Sequence, residues 1–167
     1  MEREKVKVSQ GLPAAKTNSL GVRLAMLCRI YFDANDKNIE YELDASPASG
    51  AIQLTKNLRN QNIYSSVGGV KYREPMHLWD KISGNLTDFT THFTFVIDSQ
   101  NVSHYADGMA FFLAPVGSNM TNGTGGGALG LPLNQHPFVA VEFDIHQNEW
   151  DPPDKHVGID SNSDICG

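Results

Sequence analysis

The sequence predicts an all-β protein, and three observations carry that prediction. Apolar residues recur at every second position, as in Phe93, Phe95 and Ile97 and again in Val139, Val141 and Phe143, which is the period of a strand with one face against a core. The composition favours turns, with 15 glycines and 8 prolines beside many Thr, Val and Phe. No heptad pattern, internal repeat or interdomain linker interrupts this, and 167 residues suffice for one domain with a buried core.

Taken in order, residues 1–30 are charged and polar with no clear period and read as a disordered extension. Residues 31–167 read as the domain. Ile39, Tyr41 and Leu43 alternate with Glu40 and Glu42, a half-buried strand. Asp44 to Gly50, with its Ser, Pro and Gly, reads as a turn, and Ala51 to Thr55 as the next strand. Val67 to Tyr72 follows, where Gly68 and Gly69 mark a bulge or a close backbone approach. Leu78 and Trp79 read as core, and His77 as a structural or exposed histidine. Phe89 to Ile97 is the clearest strand by its alternation, and Gly108 to Ala114 reads as a central strand, apolar on both faces. Gly117 to Gly130 is a glycine-rich loop without a Gly-Lys-Ser/Thr ending or a following helical pattern, which removes a phosphate-binding reading. Val139 to Asp144 and Val157 to Ile159 read as an outgoing and a returning strand.

Composition also excludes partners. With 13 basic and 19 acidic residues the net charge is −6, and no basic block exists to neutralise nucleic acid phosphates. Cys28 and Cys166 stand near opposite ends and make no disulfide framework, so unpaired thiols are expected. Four N-x-[ST] sequons, at Asn85, Asn101, Asn119 and Asn122, point to a glycosylated, extracellular protein. Against that, Leu20 to Phe32 is interrupted by Arg23 and Arg29 and makes no convincing signal peptide, and no apolar run is long enough to span a membrane.

The chemistry is concentrated in Val139 to Asp160. Glu142 and Asp144 lie two apart on a strand, so both side chains point to one face, roughly 7 Å apart. Such a pair repels itself and pays for desolvation unless a cation lies between the carboxylates. Three carboxylates, one amide oxygen and one imidazole within fifteen residues point to a metal, the alternative being an acidic strand end that runs into a solvated loop. Asp144, Asn148, Asp151 and a loop carbonyl suit calcium, which takes oxygen ligands. Glu142, Asp144, Asp151 and His156 suit a transition metal such as manganese or zinc, with Asp144 and Asp151 bridging two ions.

These residues also carry a resemblance. The run Glu142-Phe-Asp-x-x-x-Asn148-x-Trp-Asp-Pro-x-x-x-His156-Val-Gly-Ile-Asp160 resembles the metal loop of the legume (L-type) lectins and of the ectodomains of plant L-type lectin receptor kinases. Asn35 to Ile39, Pro75 to Trp79 and the Asp98-Ser-Gln-Asn turn are similar to the family as well. The resemblance implies a concanavalin A-like β-sandwich, or jelly roll, in which Mn2+ and Ca2+ shape a shallow sugar site. Carried over, the manganese ligands are Glu142, Asp144, Asp151 and His156, and the calcium ligands are Asp144, Asn148, Asp151 and the His146 carbonyl. Asp107, after a cis peptide at Ala106, is then the sugar-binding aspartate. Gly127, or its neighbour Gly126, gives a backbone N–H to a sugar hydroxyl, and Asn148 gives its amide. His146 stands where the family often has Phe or Tyr against the sugar ring. The resemblance runs from about Tyr31 to the last residue and stops where the family's domain continues. The sandwich is therefore expected to be incomplete at its C-terminus, a poor domain by itself, with Phe93, Phe95 and Ile97 at risk of exposure.

Metal-dependent binding of glycans or glycoconjugates is the function this implies. A sandwich-fold glycoside hydrolase would need a third carboxylate two or three positions after Asp144, where this chain has His146 and Gln147. An ectodomain fragment that keeps the site residues but binds no sugar is the remaining alternative.

Overall fold

The computed structural model describes residues 37–48, 51–56, 66–91, 93–99, 105–120, 124–133 and 137–161. The extension at 1–30, both cysteines and the sequons at Asn101 and Asn122 lie outside the described residues. Among those described, the regular structure is seven strands and a 3-10 turn at Gly126–Ala128, so the all-β expectation is met. No helix among them is long and apolar enough to cross a membrane.

Strand β1 (Ile39–Leu43) pairs antiparallel with β4 (Gly68–Tyr72), Ile39 opposite Tyr72 and Leu43 opposite Gly68. Gly68 is the close approach its sequence promised: a Cβ there would collide with the Leu54 carbonyl oxygen and lie 2.5 Å from the Ala45 nitrogen. Between them, the stretch expected to be only a turn contains a strand. Ser46–Ala48 (β2) folds back on Ala51–Gln53 (β3) as a short antiparallel pair. Asp44 holds the entry to it. Its N–H donates to the Val67 carbonyl at 3.1 Å, and its carboxylate accepts from Ser66 Oγ at 2.8 Å and pairs with Lys56 at 3.2 Å. The Ser66 hydrogen bond, against some desolvation, holds the Asp44 carboxyl below the usual carboxylate range.

Strands β5 (Gly108–Leu113), β6 (Val139–Asp144) and β7 (His156–Ser161) form an antiparallel sheet in that order. Their registers sort the side chains into two faces. One face carries Met109, Phe111, Leu113, Val141, Phe143, Val157 and Ile159. The other carries Ala110, Phe112, Ala140, Glu142, Asp144, His156, Gly158 and Asp160. Burial runs opposite to the simple reading of apolar in and acidic out. Ala140, Glu142 and Asp144 are buried, whereas Val139 is exposed. That face carries the core cluster: Leu131 and Phe138 pack with Ala140, and Ala110, Phe112 and Leu133 pack against them. Fully burying a side chain of the size of Leu131 contributes about 1.5–3 kcal/mol.

The apolar face is covered in part by Phe93 and Phe95. Their rings meet Phe111 at 5.6 Å and Phe143 at 4.9 Å between centroids, within the range of favourable aromatic pairs. This stretch is not the strand its alternation predicted, because no neighbour among the described residues offers its backbone a ladder. The alternation still aims both rings at the sheet, while Ile97 is exposed. Leu78 and Trp79 also depart from expectation, as both are exposed. Trp79 makes only an isolated bridge to Leu86, in a hairpin whose tip is held by Asp80 accepting from Ser83. His77 is exposed, as read.

Candidate functional site

The register of β6 against β7 builds the first half of the site. It sets Asp144 opposite His156 and Glu142 opposite Gly158. Glu142, Asp144 and His156 each bring a ligand atom within 4.8 Å of the others. His156 Nε2 lies 3.2 Å from Glu142 Oε1, and Glu142 and Asp144 are 1% and 3% exposed. Burial pushes the Glu142 carboxyl up, the Asp160 charge adds to this, and His156 opposes it. Asp160, 1% exposed, is pushed up by burial too, against a hydrogen bond with Glu142. Glu142 Oε2 is buried with no hydrogen-bond partner. Buried carboxylates packed this way are costly when charged unless a cation joins them, and a mixed oxygen and imidazole set is what a transition metal takes.

The second half is the loop after β6. Asp144 Oδ1 accepts the His146 N–H at 2.6 Å, Asp151 Oδ2 accepts the Asn148 N–H at 2.6 Å, and the Asp151 N–H donates to the Asn148 carbonyl at 3.2 Å. Asp151 is thus fixed to Asn148 and is not one of the compact trio, although its charge reaches Asp160. Asn148 Oδ1 is buried with no hydrogen-bond partner, an oxygen of the kind calcium takes.

Asp107 reaches this loop through the start of β5. The Ala106–Asp107 peptide is cis, as the family resemblance implied. The Asp107 carbonyl accepts the Ile145 N–H at 2.9 Å, and Gly108 sits opposite Asp144. A Cβ at Gly108 would collide with the Phe143 carbonyl, so only glycine lets the two backbones come this close. Burial pushes the Asp107 carboxyl up, His146 opposes this and Asp144 adds to it. Gly127 closes the arrangement from the 3-10 turn, where a Cβ would fall 2.9 Å from Asn148 Oδ1 and 3.3 Å from Trp150 Cζ2. Asn148 and Gly127 are thus brought together, and the Asp107 backbone is tied to the loop at Ile145.

Two residues of this region escaped the sequence reading. Asp160 is on the same face as His156 by the two-residue period of β7, a signal that was present but unused. Trp150 borders the space a Cβ at Gly127 would take, which nothing in its spacing announces. Of the described sequons, Asn85 is exposed at the Trp79–Leu86 hairpin, and exposed Asn119 accepts a hydrogen bond from Lys71 Nζ through Oδ1.

Gly158 gives a test of the buried trio. Its Cβ would collide with Glu142 Oε1, so Gly158→Ala must displace that carboxylate. Expected are a loss of about 1–3 kcal/mol in thermal unfolding and a lower metal content by elemental analysis. A variant with unchanged metal content would show that Glu142 is not a ligand.

Comparison with known proteins identifies the family. The model of the legume lectin domain matches residues 30–165. The chain is 41% identical over 138 residues to a bark lectin of Styphnolobium japonicum, an alignment of 79% of this chain and 51% of that protein. It thus spans about half the length of the curated relatives it matches. A crystal structure of basic winged bean lectin with Tn-antigen superposes with a TM-score of 0.65 at 33% identity, over 80% of this chain and 57% of that one. The metal-free form of lectin I-B4 from Griffonia simplicifolia gives 0.60 at 27% identity, over 80% and 59%. With a family model matched along most of its length, the chain belongs to the legume lectin family.

Proposed function

We propose that the chain binds glycans at a shallow site organised by two divalent ions, calcium and a transition metal such as manganese, and that residues 31–167 form this lectin domain. Glu142, Asp144, Asp151 and His156 would hold the transition metal. Asp144, Asn148, Asp151 and the His146 carbonyl would hold calcium. The observation that carries the reading is the pair of buried oxygens without hydrogen-bond partners, Glu142 Oε2 and Asn148 Oδ1, which flank Asp144 in the chain. Each fits one of the two ligand sets, and buried polar atoms of this kind are seldom left unsatisfied.

The ions supply charge that fixes the loop, so its side chains are in place before the sugar arrives. Asp107 accepts hydrogen bonds from two sugar hydroxyls, the Gly127 N–H donates one, and the Asn148 amide nitrogen donates another. An ionised acceptor makes the Asp107 bonds charge-assisted and strong. Binding without catalysis follows from His146 and Gln147 standing where a hydrolase needs its third carboxylate. The Tn-antigen complex of the winged bean relative supports a glycan ligand, and the metal-free form of the Griffonia lectin supports a metal-binding loop. The exposed sequon at Asn85 supports an extracellular setting.

Binding of the metal-loaded protein to a glycan array, with and without EDTA, tests this. Signal abolished by EDTA is expected. Released sugar would indicate a hydrolase, and silence from a folded, metal-loaded sample would overturn glycan binding.

A further inference from the structure

We infer that Met120 is a positioning residue for glycan binding, wedging the turn that carries Gly127 against strand β4 at its Gly130 end; this rests on the glycan-binding reading above. The Met120 Sδ stands in the space a Cβ at Gly69 would take, and its Cε in the space a Cβ at Gly130 would take. One half-buried thioether therefore fills the gap between β4 and the end of the glycine-rich loop. Gly130 has a φ of 79°, so glycine there both turns the chain and leaves room for the methyl group. Methionine suits such a gap because its unbranched, flexible side chain fills irregular space.

Both ends of the wedge are fixed. On the sheet side, Lys71 Nζ bonds Glu42 Oε1 at 2.9 Å and donates to the Ser118 carbonyl at 3.3 Å and to Asn119 Oδ1. The residues leading into Met120 are thereby tied to β4. On the loop side, the Gly130 N–H donates to the Thr124 carbonyl at 2.7 Å and the Leu129 N–H to the Gly126 carbonyl at 2.9 Å. Residues 124–130 are thus one closed turn, with Thr124 buried and Val67 bordering the Cβ spaces of Gly125 and Gly130 at 3.7 and 3.4 Å. A shift at Gly130 is passed through this turn to Gly127, whose Cβ space lies 2.9 Å from Asn148 Oδ1. The metal loop holds Asn148, while the Gly127 N–H takes its place from β4 through Met120. Two groups that would orient the sugar are preorganised by separate supports.

The full chain, loaded with calcium and manganese, is titrated against the galactose- and mannose-terminated glycans of the array. Elemental analysis and amide hydrogen exchange are run on the same samples. Met120→Ala is expected to weaken glycan binding about tenfold, the worth of one displaced hydrogen bond, with the metal content of the parent. Exchange should quicken over residues 124–130 and stay at the parent's level over β6. Met120→Leu, which keeps the apolar volume, should restore affinity to within about twofold. Gly69→Ala reaches the same contact from the sheet: its Cβ displaces the thioether, so affinity should fall with Met120 still present. That variant decides the outcome if Met120→Ala does not fold. Unchanged affinity in either variant, unmoved exchange over 124–130, or a matching loss of metal and of β6 protection would overturn the positioning role while leaving glycan binding in place. A folded, metal-loaded parent that binds none of these glycans would overturn both.

Discussion

Asp107→Ala is expected to abolish glycan binding while leaving the metal content unchanged. Asp107 stands outside both ligand sets, tied to the metal loop through its backbone, whose carbonyl accepts the Ile145 N–H at 2.9 Å. That tie survives the substitution. What is lost is the carboxylate, and with it two hydrogen bonds to a charged acceptor, each worth about 1.5–3 kcal/mol. Together they amount to at least about a hundredfold in affinity. Stability should hardly fall, because burial already opposes the charge on this carboxyl and its removal relieves that cost. Asp107→Asn keeps the shape with a neutral acceptor and should give an intermediate loss. Calorimetric titration with an array-positive glycan, paired with elemental analysis, checks both variants. Undiminished binding by Asp107→Ala would mean that the glycan sits elsewhere on the sandwich.

Asp144→Ala is expected to be the most damaging substitution for stability, since this residue belongs to both ligand sets. It also accepts the His146 N–H at 2.6 Å, so its loss frees the start of the loop. An ion present at about a hundred times its dissociation constant stabilises the folded state by about 2.7 kcal/mol. Losing two ions should therefore lower stability by about 5 kcal/mol and remove glycan binding with it. Glu142→Gln, which belongs to one set, should cost one ion. Thermal unfolding with and without added metal would show this as a metal-dependent rise in Tm for the parent that Asp144→Ala lacks. Two ions still bound to Asp144→Ala would rule out the bridging role.

The strands that carry the site were legible because their chemistry and their period agree. Glu142 and Asp144 share a face by spacing alone, and His156 meets Asp144 once β7 returns antiparallel. The reading failed where packing across the chain decides the outcome. Phe93 and Phe95 alternate like a strand and do cover the sheet, yet a strand also needs a neighbour for its backbone. Leu78 and Trp79 looked like core from their hydrophobicity, but hydrophobicity does not fix burial, and their hairpin leaves both exposed. The buried side of β6 was misjudged for a related reason. Glu142 and Asp144 share the face of Ala140, which packs with Leu131 from the preceding loop, and Val139 on the opposite face is exposed. Trp150 was invisible because Gly127, whose Cβ space it borders, is more than twenty residues away, in a loop with several glycines to choose from.

The most direct measurement follows one sample through a full cycle: glycan titration of the metal-loaded protein, repetition after EDTA, and repetition after calcium and manganese are returned. Expected are binding in the first state, none in the second, and recovery in the third. Elemental analysis at each stage should show two ions, none, and two again. Glycan binding that persists in a sample shown to be metal-free would contradict the central claim that the ions organise the site.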